Sequence, residues 1–329
     1  MRYLLRRIAF LLLTLWAAVT VNFFIPRLMP GNPAQAMMAR FHGRVNPSAI
    51  KALEVAFGVN NHESIWSQYF SYLGNTARGN FGVSLTYFPL SVSSVIRQGL
   101  WWTLGLVGVT TILSFVIGTV IGTIAGWKRG GKVDSILPSV FVVTSALPYF
   151  WVGMLLILVF SVRMHGFLPN DGAYDQLTLV PGWNGTYIVD VGRHAILPAA
   201  TLIVTAIGGW ILTMRNNVIT VVAEDYVRMG RAKGLSDRRI MYQYAARNAI
   251  LPNLTGFAMS LGFIVGGAIL IEYVFNYPGL GFLLLNAVNN LDYPLMQALF
   301  LLITVAVLVA ILIADIATAL LDPRTRTAG

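Results

Sequence analysis

Seven residues, Gly126-Trp127-Lys128-Arg129-Gly130-Gly131-Lys132, carry the glycine and lysine spacing of a loop that cradles phosphate. Such a loop follows its lysine with Ser or Thr for magnesium and lies between a strand and a helix. Here Val133 follows and an apolar segment precedes, so the spacing is expected to give a tight basic turn rather than a nucleotide site. Histidines stand at positions 42, 62, 165 and 194, and no two of them share a helix-spaced pair. Asp171, Asp175 and Asp190 occur in the same stretch as His165 and His194. Metal chemistry needs convergent ligands. A solvated loop is therefore the expectation, with a weak metal or ligand site as the alternative. Glu272 and Asp315 stand at the edges of apolar runs, where a charge is expensive unless it reaches water or a partner. Snorkelling or capping accounts for both as well as a transport role does.

Composition removes much other chemistry. The 329 residues include no cysteine, which excludes disulfides, thiolate metal sites and a cysteine nucleophile. Only 11% are charged and 56% are hydrophobic, whereas soluble chains carry about 25% charged residues. The chain therefore reads as an integral membrane protein. Its net charge of +10 would suggest nucleic-acid binding in a soluble domain, but the basic residues lie mostly between apolar segments, as membrane topology requires. No nucleic-acid partner is expected.

A bilayer core needs about 20 apolar residues in a helix. Six charge-free runs approach or exceed that length: Ile8 to Ile25, Thr103 to Trp127, Ser135 to Val162, Ala195 to Met214, Ile250 to Ile271 and Tyr293 to Ala314. The third contains Pro138 and Pro148 and is expected to kink or to hold a re-entrant piece. Ala34-Gln35-Ala36 resembles a signal-peptidase site, but the first run is 18 residues long and ends well before it, so an uncleaved first span is expected. Six spans with the N-terminus inside place 15 of the 23 Lys and Arg residues on the cytoplasmic side. The expected organisation is a tail and first span over 1–27, an extracytoplasmic segment with short helices over 28–98, a five-helix core over 99–321 and a cytoplasmic tail over 322–329. Asn46-Pro47 suits the start of one short outer helix, and Ile65-Trp66-Ser67-Gln68-Tyr69-Phe70 the start of another lying on the membrane surface. Gly118, Gly122 and Gly126, like Gly262, Gly266 and Gly267, suit close helix packing, either within the bundle or between subunits.

The inner loop over 215–249 is too long and too structured for a connector. Residues 221 to 233 favour helix, Gly234 can end that helix, and Ser236 can cap a second one running into Arg247 and Asn248. Two helices joined at a glycine make a compact knob. Arg231, Lys233, Arg238 and Arg239 offer it charge and Leu235 an apolar contact, which suits a soluble protein partner; attraction to anionic lipid is the alternative.

From this loop outward the sequence resembles the permease subunits of binding-protein-dependent ABC importers, specifically the first permease chain of dipeptide and oligopeptide systems. The motifs that carry the resemblance are Met1-Arg2-Tyr3-Leu4-Leu5-Arg6-Arg7, Arg27-Leu28-Met29-Pro30-Gly31-Asn32-Pro33, Gly79-Asn80-Phe81-Gly82, Arg247-Asn248-Ala249-Ile250-Leu251-Pro252, Glu272-Tyr273-Val274-Phe275-Asn276-Tyr277-Pro278-Gly279-Leu280-Gly281 and Leu321-Asp322-Pro323-Arg324. The wider superfamily shows Glu-Ala-Ala before a glycine in this loop, whereas here Arg228-Met229-Gly230 precede Gly234, a pattern similar to the peptide-type permeases.

The resemblance implies an all-α membrane protein with six transmembrane helices, the type I ABC importer permease bundle, both termini inside and a helical outer segment after the first helix. It implies that residues Glu224, Asp225, Tyr226, Arg231, Ala232, Lys233, Gly234, Leu235, Arg238 and Arg239 form the coupling loop docking on an ATPase. Glu272, Tyr277, Pro278 and Gly279 become candidates for the outer gate or pathway. The implied partners are a second homologous permease chain, two ATP-binding-cassette ATPase domains, an extracytoplasmic substrate-binding protein and the lipid bilayer of a prokaryotic plasma membrane. The chain itself is expected to be no enzyme and to hold no cofactor, with ATP and magnesium on the partner ATPase subunits. Related systems import oligosaccharides or nickel, and Trp183 in the elaborate outer loop could stack on a sugar ring, so substrate class stays open. An ion-coupled carrier would need intramembrane acids or inverted repeats, and neither is found. An intramembrane enzyme would need a convergent Ser, His, Asp or metal-ligand set within the spans, which is also not found.

Overall fold

The computed structural model describes residues 2–29 and 64–321. Asn46-Pro47, Ala34-Gln35-Ala36, His42, His62 and the tail from Asp322 lie outside the described residues, as does the side chain of Asp315. The described elements are helical throughout, with one isolated bridge between Val83 and Ser91. In chain order they are α1 (Arg2–Leu28), α2 (Ile65–Ala77), α3 (Val92–Thr103), α4 (Val109–Trp127), α5 (Lys132–Ala146), α6 (Tyr149–Leu156), α7 (Gly185–Val222), α8 (Asp225–Ala232), α9 (Asp237–Arg239), α10 (Arg247–Phe263), α11 (Ile269–Val274), α12 (Leu280–Asn289) and α13 (Tyr293–Leu321). Wider π-type turns join α3 to α4 (Leu104–Gly108), extend α6 (Ile157–Arg163) and join α9 to α10 (Ile240–Ala246).

Five helical stretches are long and apolar enough to cross a bilayer: Ala9–Leu28, Val92–Trp127, Gly185–Val222, Asp237–Gly266 and Tyr293–Ile313. The second, third and fourth exceed the expected runs because each continues past charges that end a charge-free window. Val92, Val95, Gly99 and Thr103 recur at helical spacing and are buried, so the helix persists outward through Arg97 as an amphipathic stretch. The third expected run does not form one helix. Pro148 has no N–H to donate and forces the residue before it out of the helical region, and Leu147 accordingly sits at φ −78°, ψ 140° between α5 and α6. The fifth run breaks too. A 3₁₀ turn over Ile264–Gly266 and Gly267 at φ +69° end the long helix before α11 begins.

The described chain divides into two compact units. The first takes in Met1–Thr103, Val265–Ile269 and Pro278–Val309, and the second takes in Leu104–Ile264, Leu270–Tyr277 and Ala310–Gly329. In the first, Val92 and Val95 of α3 are buried with Leu280, Leu283 and Leu284 of α12 and with Leu295, Met296 and Leu299 of α13. Polar clasps complete it. Asp292 caps α13 by accepting from the Leu295 amide (3.2 Å) and also accepts from the Thr86 amide (2.8 Å) and the Ser84 hydroxyl. Helix α2 lies along α1, with Tyr69 and Thr20 sharing a hydroxyl hydrogen bond of 2.7 Å.

The second unit is organised by α4 against α7. At Gly118 an added Cβ would stand 2.6 Å from the Trp210 Cβ, at Gly122 2.6 Å from the Ile211 carbonyl oxygen, and at Gly126 2.7 Å from the Arg215 carbonyl oxygen. Real Cβ contacts are never that short, so the four-residue glycine spacing lets two helix backbones meet within the chain. Of the two packing roles open to these glycines, the one within the bundle is the one used. Phe115 of α4 and Phe257 of α10 stack at 4.2 Å beside Trp210, which brings the third helix onto the pair.

Candidate functional site

Helix α7 runs to Val222, and α8 starts after only Ala223 and Glu224. The short helix presents one buried stripe. Val227 is fully buried, Gly230 is buried one turn on, and Ile240 and Ala245 of the following π-type segment are fully buried beneath it. A Cβ at Gly230 would lie 3.6 Å from Ile240 and 3.9 Å from Leu235, ordinary contact distances. The end of α8 is closed by paired backbone bonds. The Leu235 amide donates to the Gly230 carbonyl (3.3 Å) and the Gly234 amide to the Arg231 carbonyl (2.9 Å), with Gly234 at φ +73°. This Schellman arrangement needs a left-handed residue after the helix, which is why glycine stands there. Ser236 then precedes α9 in extended conformation, without a side-chain capping bond.

The expected docking residues divide into three groups. Glu224, Asp225, Lys233, Arg238 and Arg239 are exposed, with Asp225 paired to Arg228 at 3.5 Å and Arg239 donating to Gln243 at 3.1 Å. Ala232 ends α8 and is exposed. Leu235 is half-buried, its side chain facing Gly230. Arg231 turns back, its guanidinium 5.5 Å from the centre of the Trp127 ring at the end of α4. The apolar surface on the outside is instead Tyr226 with Met229 one turn on, the latter 58% exposed, and Tyr242 on the second arm. Met229 and Tyr242 were not singled out from the sequence. The available signal was the pairing of Tyr226 with Met229 three residues on, on the face of α8 away from Val227.

Beside the hairpin, the basic Gly126–Lys132 stretch is a turn between α4 and α5, as expected of it. Gly130 adopts φ +80° and donates its amide to Asp134 (2.8 Å), and the other Asp134 oxygen accepts from the Arg215 guanidinium of α7. The Arg215 hydrogen bond, followed by that of Gly130, holds the Asp134 carboxyl below the ordinary carboxylate range.

At the far end of α7 a second cluster forms. Glu272 does not snorkel: it is fully enclosed, as are Phe275 and Tyr277 nearly so. Gly153 of α6 leaves room for them, since a Cβ there would lie 3.2 Å from Phe275 and 3.4 Å from Ile271. The loop over 164–184 clasps this turn through the Gly172 amide donating to the Phe275 carbonyl (2.9 Å) and Asn276 donating to Asp171 (2.6 Å). Asn276 sits at φ +47°, a region asparagine tolerates better than most side chains. Burial, with Glu272 nearby, pushes the Tyr277 hydroxyl well above its usual range. Pro278 and Gly279 belong to the first unit, where Gly279 precedes α12 and the Leu280 amide donates to Thr103 (2.7 Å). The acids of this loop and of the start of α7 do not converge on a metal position. Asp190 accepts from the Asp175 amide and lies 3.3 Å from His194, Asp175 accepts from Thr178 and Leu177, and no three His or acidic residues form a metal-binding group among the described residues. Trp183 stands fully exposed at the loop's edge.

The family model described as "binding-protein-dependent transport system inner membrane component" matches residues 118–327, which span the hairpin and both of its supporting helices. The chain is 33% identical to a di/tripeptide transport system permease protein of Pseudomonas aeruginosa, over 98% of each chain. It is equally 33% identical to an oligopeptide transport system permease protein of Bacillus subtilis, again over 98% of each. A dipeptide transport system permease protein of Lactococcus lactis is 30% identical over 99% of each chain. The match runs through every part of the molecule described above, and the chain belongs to the binding-protein-dependent transport system inner membrane component family.

Proposed function

We propose that this chain is one transmembrane subunit of an ATP-driven importer of di- and oligopeptides, forming half of the pathway beside a second, homologous permease chain. The observation that carries this reading is the hairpin of α8 with the segment from α9 to α10. It is a small, internally packed projection on the end of the longest helix, closed by Gly234 and exposing Tyr226, Met229 and a collar of charge. Apolar anchors ringed by polar groups are what a protein partner recognises. The partner read here is a pair of ATP-binding-cassette ATPase domains, which bind ATP and magnesium; the chain itself catalyses nothing. An extracytoplasmic binding protein supplies the peptide. The substrate class follows from the names of the full-length relatives.

In the bilayer, the five long helices are joined by a sixth crossing made of α5 and α6 together, bent at Pro148. An even number of crossings puts the start, the 128–134 turn, the hairpin and the tail on the cytoplasmic side, where 15 of 23 Lys and Arg residues then lie. Glu272 and Tyr277, with Pro278 and Gly279, are read as parts of the outer gate, and the hairpin residues from Glu224 to Arg239 as the coupling loop.

Deleting the gene and measuring ATP-dependent uptake of labelled short peptides beside labelled cello-oligosaccharides tests the reading. Loss of peptide uptake, restored by the gene, is expected. Loss of sugar uptake alone would reassign the cargo, and uptake that persists without any ATPase subunit would overturn the mechanism.

A further inference from the structure

The basic turn from Trp127 to Asp134 is tied twice to the helices that carry the hairpin. Arg231, in the last turn of α8, lays its guanidinium over the half-buried Trp127 ring at 5.5 Å, although the charge has open solvent on its other side. Arg215 of α7 binds Asp134 in the first turn of α5, and the same carboxylate holds the Gly130 amide, so the turn is fixed to α7 through its own backbone. Between these ties, Gly126 brings the end of α4 into backbone contact with α7 at Arg215 and Val218. The hairpin is thus braced at its root by α7, and across from it by the end of α4.

On the reading of the hairpin as the ATPase-docking loop, we propose that Arg231 is a positioning residue and not a docking contact. With Trp127 it forms a strut that passes hairpin displacement directly to the α4–α5 turn, so that α4 and α5 move with α8 rather than following α7 alone. Asp134 and Arg215 keep the receiving turn in register. The phosphate-loop-like spacing of this turn then has a mechanical origin: Gly130 supplies the positive φ at which the turn closes on Asp134, and the cations flank it.

The test uses the complete transporter reconstituted in liposomes with its second permease, ATPase subunits and binding protein. W127L and R231A are each expected to lower peptide taken up per ATP hydrolysed about fivefold, the equilibrium change carried by a contact worth about 1 kcal/mol, while the ATPase subunits still co-purify. The double variant is expected to be no worse than either single one, because both remove the same contact. R231K and W127F, which keep a cation and a ring, are expected to retain most of the coupling. Additive losses would overturn the strut, and so would loss of ATPase co-purification in R231A with normal behaviour of W127L, which would make Arg231 a docking contact.

A second measurement does not depend on the fold tolerating those changes. The chain has no cysteine, so W127C with R231C can be joined by a short thiol-reactive linker. Continued uptake in the linked protein is expected if the two positions move as one; uptake abolished by the linker and restored on its cleavage would show that they separate and would refute the proposal. Failure of the wild-type chain to co-purify any ATPase subunit would instead remove the functional reading itself.

Discussion

The two ends of α7 are built by opposite strategies. At the hairpin end the turn is shaped by local contacts, even though Arg231 reaches back to Trp127: Val227, Gly230 and Ile240 fall within 14 residues of one another, and the Gly234 and Leu235 amides close the turn on Arg231 and Gly230. At the opposite end, read above as the outer one, they are distant in sequence. The Asp171 carboxylate meets Asn276 across 105 positions, and Gly172 meets Phe275. A locally built projection keeps its shape whatever the bundle around it does, which suits a part that must be pushed as a unit. A clasp made of two chain segments a third of the molecule apart holds only while both are in place, which suits a part that opens and closes. Between them lies the glycine seam of α4 and α7, where an added Cβ at Gly118, Gly122 or Gly126 would stand within 2.7 Å of the facing helix.

The largest way to break this contrast is through the seam itself. Gly122→Val places side-chain atoms where a Cβ alone would already lie 2.6 Å from the Ile211 carbonyl oxygen, and is expected to destabilise the chain by about 3 kcal/mol and abolish both docking and uptake. Thermal unfolding of the purified chain measures this, and a wild-type melting temperature would show that the two helices can part.

Gly234→Val comes next. No neighbouring atom lies within 4 Å of its Cβ, so space is not the issue; the backbone at φ +73° is, at a strain of about 2 kcal/mol. Uptake is expected to fall at least tenfold while the chain still inserts and its outer end stays intact, as read by protease protection of the 164–184 loop. Normal uptake and normal ATPase docking in this variant would remove the hairpin from the mechanism.

At the other end, Asn276→Ala removes the bond to Asp171 and the residue type that tolerates φ +47°, with an expected cost of about 1.5 kcal/mol. Hydrogen exchange of the Gly172 amide should quicken while ATPase co-purification is unchanged. Coupled loss of docking would erase the distinction between the two ends.

The outer loop also carries its own pH dependence. The Thr178 hydroxyl, then the Leu177 amide, hold the Asp175 carboxyl below its ordinary range. A carboxyl with a depressed folded value stabilises above its unfolded value, and that contribution disappears only as pH falls through the folded one. Protection of the Leu177 amide should therefore survive from neutral pH down through the ordinary carboxylate range and fail only below it; failure near neutral pH would assign the turn to another group. Smallest of all, Trp183→Ala removes a side chain that touches nothing and should change stability by less than about 0.5 kcal/mol. Loss of uptake without loss of stability would then mark Trp183 as a contact for cargo or binding protein.

How legible each part was follows the same division. The hairpin turn could be read from Gly234 because a helix end is signalled by neighbours within one turn, whereas Ser236, expected to cap the second arm, makes no side-chain capping bond. Side-chain direction on the hairpin is less legible: Leu235 is half-buried, Arg231 is exposed yet rests against the Trp127 ring, and Met229 and Tyr242 face outward, because side-chain direction depends on what packs beneath. The burial of Glu272 could not be read from its neighbours in the chain, because it lies at the edge of an apolar run where snorkelling fits the sequence equally well, and burial depends on which segments pack over it.

By itself the sequence determined that the chain lives in a membrane, where its apolar runs lie, where the glycine-closed turn of the 215–249 loop lies, and which family its motifs resemble. All of these depend on composition, on period, or on residues a few positions apart. Of the six expected runs the third is split, and five helical stretches are long and apolar enough to cross a bilayer. Tertiary structure alone decided that the 118–126 glycines serve the α4–α7 contact, that Pro148 and not Pro138 divides the third run, that Asp134 fastens the basic turn to Arg215, and that Arg231 rests on Trp127. Each of those outcomes is fixed by which surfaces meet, and short-range packing distances between remote segments leave no mark on local spacing.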